Sequence, residues 1–251
     1  MTRRRFYVPR DYLHEGIAVL PSGQAHHLRD VLRIETGEIV EIFDGSGRGY
    51  VAEVLLQGSQ VRIRVLQPLP ADASRVRLIL GAALIKSAKF EWMLQKATEL
   101  GVDEIIPLMT CFSGVRIPPG KIALRLQRWD RLMKEASKQC RRLASPRMHA
   151  PLTFADFLAK KELSTATRLL FYEKASEPWR PDQTIRSDRI VLCIGPEGGW
   201  EGGEIERAKE AGYTPLRLGP WILRAETAAI AALSIIQHQL CNAALPTVVA
   251  H

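Results

Sequence analysis

Long hydrophobic runs are missing from this chain. No stretch approaches the roughly 18 consecutive apolar residues that a membrane-crossing helix requires, which argues against a helical membrane protein. Cysteine is scarce and scattered: Cys111, Cys140, Cys193 and Cys241 form no C-x-x-C, so buried reduced thiols are expected rather than a disulfide framework or zinc cluster. The six histidines include no H-E-x-x-H, and no metal is assigned. Neither G-x-G-x-x-G nor G-x-x-x-x-G-K-[ST] occurs, so a Rossmann dinucleotide site and a P-loop lack their signatures. Glycine and proline, 18 and 15 of 251 residues, are too few for collagen-like or low-complexity sequence. The basic start Arg3-Arg4-Arg5 is followed only by Phe6-Tyr7-Val8 before Pro9, too short for a signal-peptide core. A non-exported, cytoplasmic protein of one or two domains is expected, large enough to bury a core without staples.

What the chain does have is an uneven distribution of charge. The formal net charge is +8, and residues 76–150 hold 14 Lys/Arg against 6 Asp/Glu, so the middle third carries the whole excess. Within it, Lys121 to Arg147 has nine basic residues (Lys121, Arg125, Arg128, Arg131, Lys134, Lys138, Arg141, Arg142 and Arg147) against Asp130 and Glu135. Ile122, Leu126, Trp129, Met133, Ala136, Cys140 and Leu143 recur at alternating spacings of four and three. They predict one apolar stripe on a helix, with most basic side chains projecting elsewhere. A solvated helix face explains part of this pattern. Nine against two exceeds what solubility requires and favours a polyanion partner, most simply a nucleic acid, because phosphate neutralisation needs clustered Lys and Arg.

The first seventy residues read as short strands at Arg5–Val8, Ile17–Leu20, Glu38–Phe43, Gly49–Leu55 and Gln60–Leu66, with one helix over Ala25–Ile34. Short, closely spaced strands suggest a small barrel. Pro68 to Asp72 reads as a linker, dividing a domain at 1–70 from a second at 76–251. From Val76 the pattern alternates. Apolar runs at Val76–Leu84, Glu104–Leu108, Leu169–Tyr172, Ile190–Ile194 and Pro215–Leu218 are interleaved with helices at Phe90–Leu100, Phe154–Lys160, Gly203–Ala211 and Ala228–Leu245, besides the basic one. Strands without an in/out period, alternating with helices, predict a parallel α/β sheet buried on both faces. The last helix is apolar nearly all round, so it belongs in the core or at a dimer interface.

Two segments carry chemistry. Ile194-Gly195-Pro196-Glu197-Gly198-Gly199 follows a buried strand and precedes a helix, the place where open α/β sheets bind ligands. It fits a ligand site and equally a tight strand-to-helix turn in which Glu197 complements the helix dipole. Leu218-Gly219-Pro220-Trp221-Ile222-Leu223-Arg224-Ala225-Glu226-Thr227 is an irregular strap with one Arg and one Glu before the apolar helix. An ion pair with Thr227 as helix cap accounts for the Thr. It accounts less well for Arg224 held in otherwise apolar sequence.

These segments, together with Arg5-Phe6-Tyr7-Val8, Val31-Leu32-Arg33, Lys86, Lys96-Ala97-Thr98-Glu99-Leu100-Gly101-Val102, and Gln139 with Arg142, resemble the 16S ribosomal RNA uridine N3-methyltransferase family of the SPOUT class. The resemblance spans essentially the whole chain; GPEGG with LG…LRxETA is its most specific part. It implies a PUA-like β-barrel followed by an α/β trefoil-knot domain, S-adenosyl-L-methionine as methyl donor, a homodimer, and a substrate in 16S rRNA of the small ribosomal subunit or its precursor. Its implied donor loops place Leu170 at the first. They place Ile194, Gly195, Pro196, Glu197, Gly198 and Gly199 at the second, and Leu218, Gly219, Ile222, Leu223, Arg224 and Thr227 at the third. Arg5, Arg33, Lys86, Arg128, Arg131, Lys138 and Arg142 are the candidate RNA contacts. One departure stands out: Thr110-Cys111-Phe112-Ser113 carries Phe112 where the family usually has a basic residue, though Arg116 lies nearby.

Uracil N3 becomes a nucleophile only when its proton leaves, and that loss spreads negative charge over N3 and the flanking carbonyls. A fixed cation beside the ring stabilises it, and Arg224 is the candidate. Glu226 and Glu197 are the candidate proton acceptors, with water as a third. A non-catalytic RNA-binding assembly factor and a knot methyltransferase acting on another RNA remain as alternative readings.

Overall fold

The computed structural model describes residues 3–58, 60–70, 76–181 and 187–244. The chain divides into two compact units, one spanning Met1–Ala73 with Lys134–Ser145, the other Ser74–Met133 with Pro146–His251.

The first unit is one curled six-stranded sheet. Its strands are β1 (Arg5–Tyr7), β2 (Leu13–His14), β3 (Ile17–Val19), β4 (Ile39–Phe43), β5 (Gly49–Gln57) and β6 (Gln60–Pro68). They run in the order β1-β4-β5-β6-β3-β2, antiparallel except for β1 against β4. Among the described residues no ladder joins the edge strands β1 and β2, so this is a half-barrel. In β6, Val61 and Ile63 point inward while Arg64 points out, the period of two that a one-sided core demands. Phe6, Leu28, Ile42, Val54 and Ile63 fill that core.

The five expected strands appear within two residues of their predicted ends. β2 carried no pattern in sequence because two residues are too few for one; its pairing comes from the turn, where Glu15 (φ 48°) and Gly16 (φ 79°) give the two positive φ angles of a type I′ hairpin. The single helix expected over Ala25–Ile34 is two pieces, α1 (Ser22–His26) and a π-type turn at His27–Val31. Of the predicted linker, Ala71 and Asp72 lie outside the described residues.

The second unit is a parallel sheet. Its strands are β7 (Arg77–Ala83), β8 (Glu104–Met109), β9 (Arg147–Met148), β10 (Leu152–Thr153), β11 (Thr167–Phe171), β12 (Arg189–Ile194) and β13 (Thr214–Leu216). The order is β10-β8-β7-β12-β11-β13, with β9 also on β8. Helices α2 (Ser87–Glu99), α3 (Ile122–Cys140), α4 (Phe154–Leu158), α5 (Gly202–Glu210) and α6 (Ala225–Ala244) complete the unit, α3 ending in the first one.

The central strands are buried on both faces, which is why they read as unbroken apolar runs. Leu78, Leu80, Leu169, Phe171, Ile190, Leu192 and Ile194 face α2, α6 and Trp129 of α3. Ile79, Leu170, Val191 and Cys193 face α4 and α5. Gly81 is small of necessity: a Cβ there would lie 3.0 Å from Phe157 Cζ and 3.2 Å from Leu108 Cδ1.

Two expectations need correction. The basic helix stops at Cys140, because Arg141 turns left-handed (φ 66°), and Leu143 therefore leaves the helical stripe. It is buried instead against β5, where a Cβ on Gly49 would come 2.4 Å from Leu143 Cδ2. Of the four thiols, all unpaired, only Cys193 is buried; Cys140 is half-buried, and Cys111 and Cys241 are exposed. Burial pushes the Cys193 thiol well above the ordinary range.

Candidate active site

Three loops at the carboxyl ends of β11, β12 and β13 enclose a cavity of about 560 Å³. The loop after β12 is the glycine turn. Gly199 takes φ +76°, and its N–H donates to the Pro196 carbonyl at 3.0 Å. Gly195 passes so close to Trp200 that a Cβ would sit 2.8 Å from its Nε1. That indole N–H donates at 3.0 Å to the Phe171 carbonyl and so ties the turn to the end of β11.

The third loop is the strap from Arg217 to Arg224. It is fastened at its start, where the Arg217 N–H donates to Glu177 O at 2.8 Å and the Trp179 N–H donates to Arg217 O at 2.9 Å. Beyond that, Trp221 and Ile222 stand 80% and 83% exposed.

Most of the residues expected at the site are there. Ile194, Gly195, Pro196, Glu197, Gly198, Gly199, Leu218, Gly219, Ile222, Leu223 and Arg224 all line the cavity. Three do not. Leu170 points to the opposite face of the sheet and is fully buried under α4 and α5; strand alternation gives the position to Phe171, followed by Tyr172 and Glu173. Thr227 is exposed and off the cavity wall, and it is no cap, because α6 already begins at Ala225. Glu226 is 8% exposed beneath the wall, with its Oε2 buried and without a hydrogen-bond partner.

Glu197 does not serve α5 either. The N-cap there is Glu201, which exchanges backbone hydrogen bonds with Glu204 in a capping box. Sequence reasoning also missed Lys89, in the first turn of α2, which lines the cavity. Its one signal was position: it follows the carboxyl end of a central strand.

Lys89 organises the charges. Its Nζ pairs with Glu197 and lies 3.8 Å from Glu226 Oε1. The hydrogen bond from Lys89, helped by the charges of Lys86 and Arg224, holds the Glu197 carboxyl below the usual carboxylate range. Glu197 is therefore ionised at neutral pH, and a poor proton acceptor there.

Phe112 packs against the glycine turn from outside the cavity lining. A Cβ on Gly198 would fall 2.9 Å from Phe112 Cβ, and the neighbouring Cys111 N–H donates to Glu204 Oε1 at 2.9 Å. An apolar ring thus backs the glycine turn where the family resemblance expects a cation.

The candidate RNA contacts fall in both units and in unlike surroundings. Arg33, Lys86 and Arg131 are exposed. Arg128 is exposed but forks onto Glu91 at 2.7 and 2.8 Å, holding that carboxyl below its usual range. Arg5 is a correction: it is 7% exposed, its guanidinium 4.6 Å above the Phe43 ring. Lys138 and Arg142 are half-buried, with Lys138 Nζ 5.8 Å above the Phe6 ring.

Comparison with known proteins agrees with this geometry. Residues 72–237 match the family described as an RNA methyltransferase domain, and residues 20–66 an RNA methyltransferase PUA domain. A ribosomal RNA small subunit methyltransferase E of Synechocystis is 33% identical over 242 residues, covering 92% of this chain and 76% of that protein. The chain belongs to the ribosomal RNA small subunit methyltransferase E family. Two solved relatives superpose closely. A Legionella pneumophila methyltransferase in complex with SAM gives a TM-score of 0.85 at 32% identity, covering 95% of this chain and 98% of the other. The family's Neisseria gonorrhoeae member, bound to S-adenosyl methionine, gives 0.84 at 30% identity with the same coverage.

The chain is thus an RNA methyltransferase with the SPOUT fold, a trefoil-knot α/β unit and a PUA-like half-barrel. In this sheet β13 lies outside β11, yet α6 returns to pack on α2 and β12. Because β11, β12 and β13 run parallel, their three loops emerge at one end of the sheet.

Proposed function

We propose that this chain transfers a methyl group from S-adenosyl-L-methionine to N3 of a uridine in 16S rRNA, within the small ribosomal subunit or its precursor. The observation that carries the reading is a single cavity lined by both the GPEGG turn and Arg224. Its size and lining suit the donor. About 560 Å³ is within the range of small-molecule sites. Phe171, Ile194, Leu218, Ile222 and Leu223 offer apolar walls to an adenine, and the glycine turn offers backbone amides to its polar edge. Glu173 and Glu197 face the space and complement a sulfonium and an ammonium.

When bound, the donor supplies an electrophilic methyl group for in-line displacement. The chain's own residues position the partners, which is where much of the acceleration in such a transfer arises. Arg224, exposed on the cavity wall, stabilises the negative charge that the uracil ring carries once N3 is deprotonated. The Lys89 ion pair lowers the basicity of Glu197, and Glu226 is not on the cavity lining, so neither carboxylate is placed as the base and N3 reacts as the anion left after its proton has passed to bulk solvent.

In this reading residues 1–70 dock the RNA and residues 76–251 carry the chemistry. Arg33 and Arg131 are exposed phosphate contacts, while Arg5 and Arg128 act first within the fold. The chain works in the cytoplasm as a homodimer, supported by the apolar helix α6 and by the exposed Trp221 and Ile222.

The test pairs calorimetry with single-turnover kinetics. The wild-type chain binds S-adenosyl-L-methionine; Arg224→Ala binds it with similar affinity but methylates at least about 10²-fold more slowly, the usual loss for one charge-stabilising donor. An unchanged single-turnover rate removes Arg224 from the mechanism. No donor binding by the wild-type chain removes the reading.

A further inference from the structure

The half-barrel unit holds a second concavity, of about 330 Å³, lined by Arg3, Arg5, Glu135, Lys138, Gln139 and Arg141. β1 and the residue two before it bring the first two arginines; the last turns of α3 and the residue after it bring the rest. Four of the six side chains are cations. The acids at hand are Glu135, 3.5 Å from Lys138 Nζ, and Glu41, whose two oxygens each accept from Arg141 Nη2 at 2.6 Å. The lining itself is thus predominantly basic, four cations to one acid.

The cleft is built into the fold. Arg5 is held over Phe43 at its back, so that its charge is set down in low-dielectric surroundings where it acts at longer range. Arg141 takes the left-handed conformation that ends α3, a position that glycine or asparagine fills with less strain. Its guanidinium lies on the cleft wall, beside Glu41 of β4. Guanidinium forks beside an ammonium and an amide match the several oxygens of a phosphodiester. The lining has no exposed aromatic ring on which a base would stack.

We propose that this cleft binds a phosphodiester of the RNA backbone. Arg3, Lys138 and Arg141 donate to the phosphate oxygens, Gln139 adds its amide, and Arg5 supplies charge from behind. Such a contact fixes the register of the RNA on the half-barrel without reading sequence. The inference rests on the reading that the chain acts on RNA.

The experiment measures binding of a small-subunit rRNA fragment to the full chain across a range of salt concentrations. Arg3→Gln weakens binding several-fold and makes the log–log salt dependence shallower by about 0.7, the increment for one single-stranded phosphate. Gln139→Glu, an exposed position, also weakens binding several-fold. Lys138→Gln follows Arg3→Gln, but its contact with Phe6 makes it the less clean variant. Lys209→Gln, an equal change of charge on exposed α5, leaves the slope at its wild-type value. Wild-type affinity and slope in both Arg3→Gln and Gln139→Glu overturn the proposal. Donor binding, followed separately by calorimetry, stays at the wild-type value in all four; its absence from the wild-type chain would overturn the methyl-transfer reading while the salt slopes still decide the cleft.

Discussion

Lys89 shows how one side chain assigns a role to another. By donating to Glu197 it makes that carboxylate a fixed charge rather than a base. The sign follows from the depressed pKa: the pair is fully formed at neutral pH and is lost only as acid takes the solution through a value below the ordinary carboxylate range. Glu197→Gln should therefore leave the shape of the pH–rate profile unchanged between about pH 6 and 9, whatever it does to donor affinity. Loss of an ascending limb in that window would restore Glu197 as the proton acceptor.

At the same scale, sequence located the loops but not always the side chain within them. Leu170 and Phe171 are equally apolar and adjacent; only the pleat, which needs the sheet to define it, says that Phe171 faces the cavity side and Leu170 the other. Thr227 looked like a cap because it is the first good capping residue before the apolar run. α6 starts two residues earlier at Ala225, with no such residue at its head.

Elements were more legible than residues, since a strand or helix sums a pattern over many positions. All the long strands and helices of the second unit stand where apolar runs and the 3.6-residue period put them. α3 had the clearest stripe, and its only error was length, because nothing in the pattern announces a left-handed arginine.

The start of α5 is an element-scale device with a consequence for the site. Glu204 is 3% exposed and spends both oxygens, Oε2 on the Glu201 N–H at 3.0 Å and Oε1 on the Cys111 N–H at 2.9 Å. It therefore fixes the helix and, through Cys111 and Phe112, the loop that backs Gly198. Glu204→Ala loses a capping box and the charge-assisted hydrogen bond from the Cys111 N–H, so it should destabilise the protein by about 1–3 kcal/mol in denaturant titration. It should weaken donor binding as well. A variant with wild-type stability would mean that the loop and helix stand without this carboxylate.

For the whole molecule, the class was legible and the topology was not. Alternating strands and helices dictate a parallel sheet covered on both faces, but periodicity carries nothing about the order in which strands sit, and the return of α6 past β11 is invisible to it. Nor does composition reveal that one basic helix serves two units. Lys134 and Lys138 lie over Tyr7 and Phe6 of the half-barrel, while Arg125 and Arg128 reach Glu91 of α2. Much of what looked like surplus charge is thus engaged within the fold.

The proposed function links one cavity to one methylated atom. Its most direct test is mass mapping of modified nucleotides in small-subunit RNA from cells with and without this protein. A single N3-methyluridine in 16S rRNA should disappear without the protein and return when purified protein and S-adenosyl-L-methionine are added to the undermethylated RNA or subunit. An unchanged modification map, or a lost methyl group on any other atom or RNA, would contradict it.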